Sequence, residues 1–395
     1  MDTVLVKSVK TKSREGIFIK HSSRTDILML IDTLLLVVVG LIMMYSASYI
    51  KAYSYGRSGL AYFTNQAIFA AVGIVAMIFI SHINYRILHT LSWPVWAFMI
   101  LSGFLLLLTL FSKSTSRRWL GVGDMFSFQP SELVKLAVIL FVSHIASLRP
   151  EMMRNFKYGF VQPMIVLAFY AGIMLMQPHF SGMIIVTVLM IAMLFIGGVK
   201  FRWYIVLGIA IIGLAFLLIS LKALPTYVLN RIAAFTGSGE GTSADNYQTE
   251  QSLIAIGSGG FNGLGLGNSR QKHHFLPEPQ NDFLFAVVCE ELGFRGGLLV
   301  IALFVYFVSR GLSISLKAKD KFGAMLSIGI TIEIAVQVIL NIAVVTNSIT
   351  NTGISLPFFS QGGTSLIVLL AEVGLLLSIA RYTNTQNRLK ETRGL

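Results

Sequence analysis

The chain has 395 residues, 55% of them hydrophobic and only 12% charged, with a mean hydropathy of +0.74 and a formal net charge of +13. A soluble domain carries roughly twice that share of charge, and apolar runs of about 18 residues or more recur here, which is the pattern of a polytopic α-helical membrane protein. The runs are continuous and not alternating, which excludes a β-barrel, and the basic residues form no aromatic-interleaved stripe, so the charge reads as topology and contact with membrane lipids, not nucleic-acid binding.

Residues 1–25 are polar and basic and are expected to form a cytoplasmic tail; they lead into a full-length span, so no cleavable signal peptide is expected. The first three spans are predicted over about 27–49, 64–81 and 88–111, the last with Pro94 near its start. A polar loop, KSTSRRWLGVGDMFSFQ, precedes a fourth span that opens on Pro130, a residue suited to a first helical turn, and ends near 148. A fifth span is predicted over about 160–176. The turn QPHFSG leads into a sixth that closes at Gly197–Gly198, and a seventh runs from behind Lys200 and Arg202 to about 221.

Residues 222–281 follow as an extracellular loop without predicted secondary structure, long enough to imply a function. The eighth, ninth and tenth spans are predicted over about 282–308, 322–346 and 363–379, giving a ten-helix membrane domain over 26–382 and a basic tail over 383–395. Ten spans place both termini on one side. Assigning that side to the cytoplasm gives the inside segments roughly 20 of the Lys and Arg residues and the outside loops about 9. Lys113, Arg117 and Arg118 are cationic on the outer side, where positive charge is disfavoured, and mark a candidate anion site.

The chemistry is expected at FLPEPQNDFLFAVVCEELGFRGG, residues 275–297. Pro277 and Pro279 hold the approach extended, Asn281 is the predicted N-cap, and Asp282 is predicted in the first helical turn, where the dipole favours negative charge. Glu290 and Glu291 follow about 12 Å further along the same helix. Glu132 and Lys135 are three residues apart and share a helix face, as an ion pair would require. The glycine-dense GSGGFNGLGLG, residues 257–267, is neither a P-loop nor a dinucleotide turn; it would allow a ligand to approach the backbone closely, or be a flexible turn. The stretch ITNTGISLPFFSQGGTSL is expected to be a re-entrant segment lining a cavity. Asp32, His144, Glu290, Glu291 and Glu333 are expected mostly as interior pairs, and His273 and His274 have no evident co-ligands for a metal. The single cysteine, Cys289, has no intrachain partner.

Together, MMYSAS, RRWLGVGDMFSFQPSELVKL, QPHFSG, NRIAAF, YQTEQSLIAIGSGGFNGLGLG, FLPEPQNDFLFAVVCEELGFRGG and TGISLPFFSQGGTSL resemble, in order and over nearly the whole chain, the shape, elongation, division and sporulation proteins, which include FtsW, RodA and SpoVE. The resemblance implies a peptidoglycan glycosyltransferase that polymerises lipid II on the outer face of the cytoplasmic membrane, in cell division or cell-shape maintenance. It implies Asp282, from the PExxxDF motif, as the acid/base residue. It places Arg118, Trp119, Glu132, Lys135, Glu278, Ser360, Gly362 and Gly363 at the substrate. It also implies a class B penicillin-binding protein partner among divisome or elongasome proteins. Three positions depart from many relatives: Gln280-Asn281 stands for His-Thr, His179 for the aspartate of QPD, and Gln361 for a tyrosine, with Thr364 in place of a serine. The division and sporulation branches fit better than RodA.

Glycosyl transfer from a lipid diphosphate needs a base for the acceptor hydroxyl and cationic donors for the departing diphosphate. Asp282 is the candidate base; Arg118 and Lys135 are the candidate donors, and a divalent cation, Mg²⁺ or Mn²⁺, is a candidate for the same role. The helix dipole would lower the pKa of Asp282 and a dry site would raise it. The rival readings are a lipid II flippase, in which Glu132, Lys135, Glu290 and Glu333 line a polar path, and a non-catalytic scaffold for a cell-wall synthase.

Overall fold

A computed structural model describes residues 26–392, apart from 57, 113–117, 123–125 and 221–242. The basic tail 1–25, Lys113, Arg117, the NRIAAF motif and residues 393–395 lie outside the described residues.

The chain is almost entirely helical. In order, the helices are α1 (Ile27–Ser54), α2 (Ala61–His82), the short α3 (Arg86–Thr90), α4 (Trp93–Leu108), α5 (Pro130–Leu148), α6 (Gln162–Met176), α7 (Phe180–Gly197) and α8 (Arg202–Ser220). Then come α9 (Ser243–Gly259), α10 (Leu284–Lys317), α11 (Lys321–Val345) and α12 (Gly363–Thr392). Among the described residues, nine helical segments are long and apolar enough to cross a membrane, and α8 supplies a helix at the seventh predicted span. The chain is therefore a multi-pass membrane protein. Its lipid-facing surface is apolar: Val75, Ile100, Ile209 and Phe216 are all exposed.

The helix ends follow local chemistry. Asp26 caps α1, its Oδ1 accepting from the Met29 amide at 3.1 Å. Pro130 sits in the first turn of α5. The predicted third span begins later than 88, because Ser92 at φ 57° breaks the chain between α3 and α4. The loop between α4 and α5 carries a two-stranded antiparallel hairpin, β1 (Leu120–Val122) and β2 (Phe126–Phe128), with Gly121 opposite Ser127.

Helix α5 is the axis of the bundle. Val134, Ala137, Val138, Phe141 and Val142 are fully buried, and α4, α7 and α11 pack around it. Helices α2 and α12 form the most extensive helix pair. Their backbones approach closely because Gly374 leaves room; a Cβ there would lie 2.7 Å from the Met77 carbonyl.

The 222–281 segment is not structureless as far as it is described. It contains α9, a 17-residue helix, and its glycines pack against protein. Helix α10 is interrupted at Gly293 (φ 69°, ψ −168°), and the glycine-rich segment fills the interruption. The amides of Leu264 and Gly265 donate to the carbonyls of Glu290 and Glu291, and the Phe294 amide donates to Gly260. A Cβ on Gly259 would lie 2.0 Å from the Cys289 carbonyl, and one on Gly263 2.2 Å from that of Glu291. The expected close approach is thus to α10, not to a ligand.

The carboxylates of Glu290 and Glu291 hold the same segment from the side. Glu290 accepts from the Arg270 amide at 2.8 Å and the Ser269 hydroxyl at 2.5 Å. Glu291 pairs with Lys272 at 2.9 Å and accepts from Ser46 of α1. Both glutamates are fully buried, so every one of these contacts replaces a lost hydration bond.

Candidate active site

The segment that carries Asp282 is held from three directions. Asn341 on α11 donates through Nδ2 to the Asp282 carbonyl at 2.8 Å and to the Ile354 carbonyl at 2.6 Å, tying two loops to one helix. The Gln361 amide donates to the Gln280 carbonyl at 2.9 Å. Glu278 accepts from Gln280 and Asn281 and pairs with Lys51 of α1.

These tertiary ties change the predicted local structure. Helix α10 begins at Leu284, with Phe283 at its N-cap position and no side-chain cap. Asn281 is therefore not the N-cap, since its side chain is turned back to Glu278. Asp282 stands ahead of the first helical turn, not inside it. Burial raises the Asp282 carboxyl from the ordinary 3.8 to about 6, with Arg118 opposing the rise and Glu278 adding to it. Of the two opposed effects on this carboxyl, burial wins over charge-favouring surroundings.

Asp282 lines a cavity of ≈ 400 Å³. Arg118 and Trp119 from the hairpin loop, Glu132 and Lys135 from α5, and Gly362 and Gly363 at the start of α12 share its wall. Lys135 makes the expected pair with Glu132 at 3.0 Å, and a second pair, also 3.0 Å, with the buried Glu333 of α11. Arg118 donates to the Pro178 carbonyl at 2.5 Å, which fixes the hairpin loop against the turn between α6 and α7. The 349–355 strip enters the wall at Gly353 (φ 69°), where a Cβ would sit 3.2 Å from Asp282 Oδ2. The strip is cavity-lining as expected, and glycine at this position leaves the carboxylate its space.

Two of the residues expected at the substrate, Glu278 and Ser360, do not line this cavity. Glu278 does not line the cavity; it braces the Asp282 segment through Lys51. Ser360 lies beneath the wall, its Oγ accepting from the Leu356 amide at 2.8 Å, so it shapes the turn that presents Gly362.

The cavity also uses residues that the sequence did not single out as site residues: Gln129, Ser131, His179 and Gln337. His179 is buried, and its imidazole is pushed down to about 3 by burial, then by Arg118 and Lys135, so it is neutral at physiological pH. Among the described residues, its Nδ1 and the Ser131 Oγ have no hydrogen-bond partner. Nothing in the local pattern around Ser131 or Gln337 distinguishes them from ordinary helix residues; only the fold brings them to the wall.

No group of three or more His, Cys, Asp or Glu side chains suited to a metal ion converges among the described residues. Among the described residues the donor set does not fit a protein-built metal centre. Chemically, the arrangement places a carboxylate raised to about 6 in one cavity with two cationic groups, at one end of an apolar bundle. That is a geometry for taking a proton from one group while holding an anion nearby.

Comparison with known proteins agrees with the fold. Stage V sporulation protein E of Bacillus subtilis (strain 168) is 40% identical over 366 residues, covering 91% of this chain and 97% of that protein. The probable peptidoglycan glycosyltransferase FtsW of Geobacter metallireducens is 35% identical, covering 92% of this chain and 96% of that protein. In fold, the chain is similar to a member of a solved peptidoglycan synthase complex that coordinates polymerization and crosslinking (TM-score 0.73, 21% identity, 91% of this chain and 98% of that one). It is also similar to the rod shape determining protein RodA of Thermus thermophilus (TM-score 0.64, 24% identity, 90% and 97%). The family model for the FtsW, RodA and SpoVE cell cycle proteins matches residues 26–385, and the chain belongs to that family.

Proposed function

We propose that this protein is a peptidoglycan glycosyltransferase that polymerises lipid II into glycan strands at the outer face of the cytoplasmic membrane, with both termini in the cytoplasm. The observation that supports this most is Asp282: a carboxylate raised to about 6 on the wall of a cavity whose other walls carry Arg118 and Lys135. In the reaction, the acceptor sugar hydroxyl gives its proton to the Asp282 carboxylate as its oxygen bonds to the donor's anomeric carbon. The bond from that carbon to the diphosphate oxygen breaks, and the diphosphate leaves as an anion held by Arg118 and Lys135. A base is most effective when its pKa lies near the working pH, which is the value burial gives Asp282. Trp119 and the glycine pair Gly362–Gly363 offer a flat surface and open backbone to the sugars.

A class B penicillin-binding protein is the proposed partner, because strands made here need crosslinking and no Ser-x-x-Lys stands on an exterior domain of this chain. Contact would run over lipid-facing sides of the bundle and the 222–281 segment, and a shift of that segment relative to Asp282 on binding would raise activity. The test is purified protein reconstituted with lipid II, with and without the cognate synthase, scored for polymer. Polymer that requires Asp282 supports the reading. Transport of lipid II between leaflets without polymer would favour the flippase, and neither activity alone or with the synthase would favour a scaffold.

A further inference from the structure

Lys135 stands among three carboxyl groups. Its Nζ is 3.0 Å from Glu132 and 3.0 Å from Glu333. Glu372 of α12 is in electrostatic reach of Lys135, Glu333 and Glu132. Glu132 keeps an 18% exposed side chain at the cavity, whereas Glu333 and Glu372 are each 1% exposed. At about 1.5 Å per residue, Glu333 and Glu372 lie about 18 Å and about 14 Å from the cavity ends of their helices, near the middle of a hydrocarbon layer about 30 Å thick.

The partners of these groups are unequal. Glu333 Oε1 has Lys135 and, at 3.2 Å, Gln337 Nε2. Glu333 Oε2 and both oxygens of Glu372 are buried without a hydrogen-bond partner among the described residues. Among the described residues, the charged groups that interact with the pair come from α5 (Lys135 and Glu132), α11 (Glu333) and α12 (Glu372); α1, α2, α3, α7, α9, α10 and β2, which also pack on α11 or α12, contribute none. His179, ahead of α7, faces Lys135 from the cavity side and is neutral.

An unpaired buried carboxylate is not sustained at that depth; it is neutralised by a proton. The deep part of the group is therefore balanced when Lys135 is ammonium, Glu333 is its carboxylate partner and Glu372 holds a proton. Glu132 is left to the solvated cavity. Resting on the reading of the cavity as a diphosphate site, we propose that anion binding at Lys135 is coupled to uptake of one proton by the Glu333–Glu372 pair.

A diphosphate oxygen that approaches Lys135 Nζ takes over part of the positive charge now balancing Glu333 and brings negative charge of its own. The pair, sharing one proton before, then takes a second from the cavity, through its rim at Glu132 and Gln337. Departure of the diphosphate returns it. No bond other than O–H is made or broken. By linkage, affinity for the diphosphate falls as pH rises, approaching about tenfold per pH unit for one proton. The pair acts through Lys135 and is a positioning element, not a catalytic one.

The experiment is calorimetric titration of the full chain in lipid nanodiscs with undecaprenyl diphosphate at about pH 8, in two buffers of different ionisation enthalpy. The difference in heat counts the protons taken up. The expected result is close to one proton more for wild type than for the double variant Glu333→Gln/Glu372→Gln, and a wild-type Kd that rises several-fold between about pH 7.5 and about pH 8.5. A purely structural role for the glutamates would change affinity but not the proton count. Equal uptake in both proteins, or a wild-type Kd that is flat over that range, overturns the inference; the second measurement needs no variant to fold. Binding that is weakened by Arg118→Ala but takes up no proton overturns the coupling while leaving the cavity reading intact. If undecaprenyl diphosphate does not bind at all, the cavity reading fails and the coupling with it.

Discussion

Asp282→Asn should inactivate the protein and stabilise it at the same time. The substitution keeps the shape of the side chain and removes its titration. Wild-type burial raises the carboxyl from 3.8 to about 6, so the ionised form is disfavoured in the folded protein. At about 1.4 kcal/mol per pKa unit, holding Asp282 ionised near pH 7 costs about 3 kcal/mol of folding stability, a ceiling because part of the side chain faces the cavity. The folded protein binds this proton more tightly than the unfolded chain. Its contribution is therefore best below about pH 4, declines between about pH 4 and about pH 6, and stays low above that. An asparagine has no such decline. The variant should unfold at a higher temperature than wild type near neutral pH and at about the same temperature near pH 4, while polymerisation drops by roughly 10²–10⁴-fold. The assay pairs thermal unfolding in detergent at the two pH values with polymer formation from lipid II. A variant less stable than wild type at neutral pH would refute the argument that burial dominates at this carboxyl. Polymerisation at the wild-type rate would refute its role as the base.

Wild-type polymerisation should rise with pH through about 6, and His179, held down to about 3, should add no step of its own in the neutral range. His179→Gln should leave the midpoint in place in a pH–rate profile. Arg118→Ala should raise KM for the lipid diphosphate substrate in steady-state assays, by about 10-fold or more if one charge-assisted contact is lost. Lys135→Ala should destabilise the fold by about 3–5 kcal/mol, since it strands the buried Glu333 as well as Glu132. A normal rate per folded molecule in that variant would make the lysine a structural ion partner only. Gly353→Ala should lower activity more than stability, because its Cβ would press within 3.2 Å of Asp282 Oδ2 at a backbone position costing about 1 kcal/mol for alanine; comparison of rate with unfolding temperature separates the two effects.

Spans were legible because a membrane demands them: a helix long enough to cross is a long apolar run whatever surrounds it. The Glu132–Lys135 pair was legible because it is local, three residues on one helix face. The second partner, Glu333, was recognised only as an interior acid, since its pairing with Lys135 joins helices distant in sequence. The start of α10 was misplaced for a related reason. Asn281 has the local chemistry of an N-cap, but its side chain is turned back to the neighbouring Glu278 while Asn341 holds the Asp282 carbonyl from α11, and the helix starts only at Leu284. The glycines at 257–267 correctly announced a close approach, while the object approached, the backbone of α10, was not in the pattern. Helix α9 was missed because its sequence, SADNYQTEQSLIAIGSG, has too little apolar periodicity to stand out from a loop.

The interruption of α10 at Gly293 has a bearing on how this chain tolerates change in length. Surface connections ordinarily accept inserted or deleted residues at little cost. Between Gly259 and Gln280 that freedom is lost at both ends. Leu264 and Gly265 complete the hydrogen bonding of a broken helix at one end, and Gln280 is fastened to Gln361 at the other. An added residue within 269–272 would have to displace buried Ser269, Gln271 or Lys272 or shift the register at Glu290 and Glu291, whereas the exposed residues 265–268 and 273–275 have room for a bulge. The stretch is thus a strut in part: where it is buried on Glu290 and Glu291 its residue count matters as well as its residue identity, and its exposed links keep the tolerance of a surface connection.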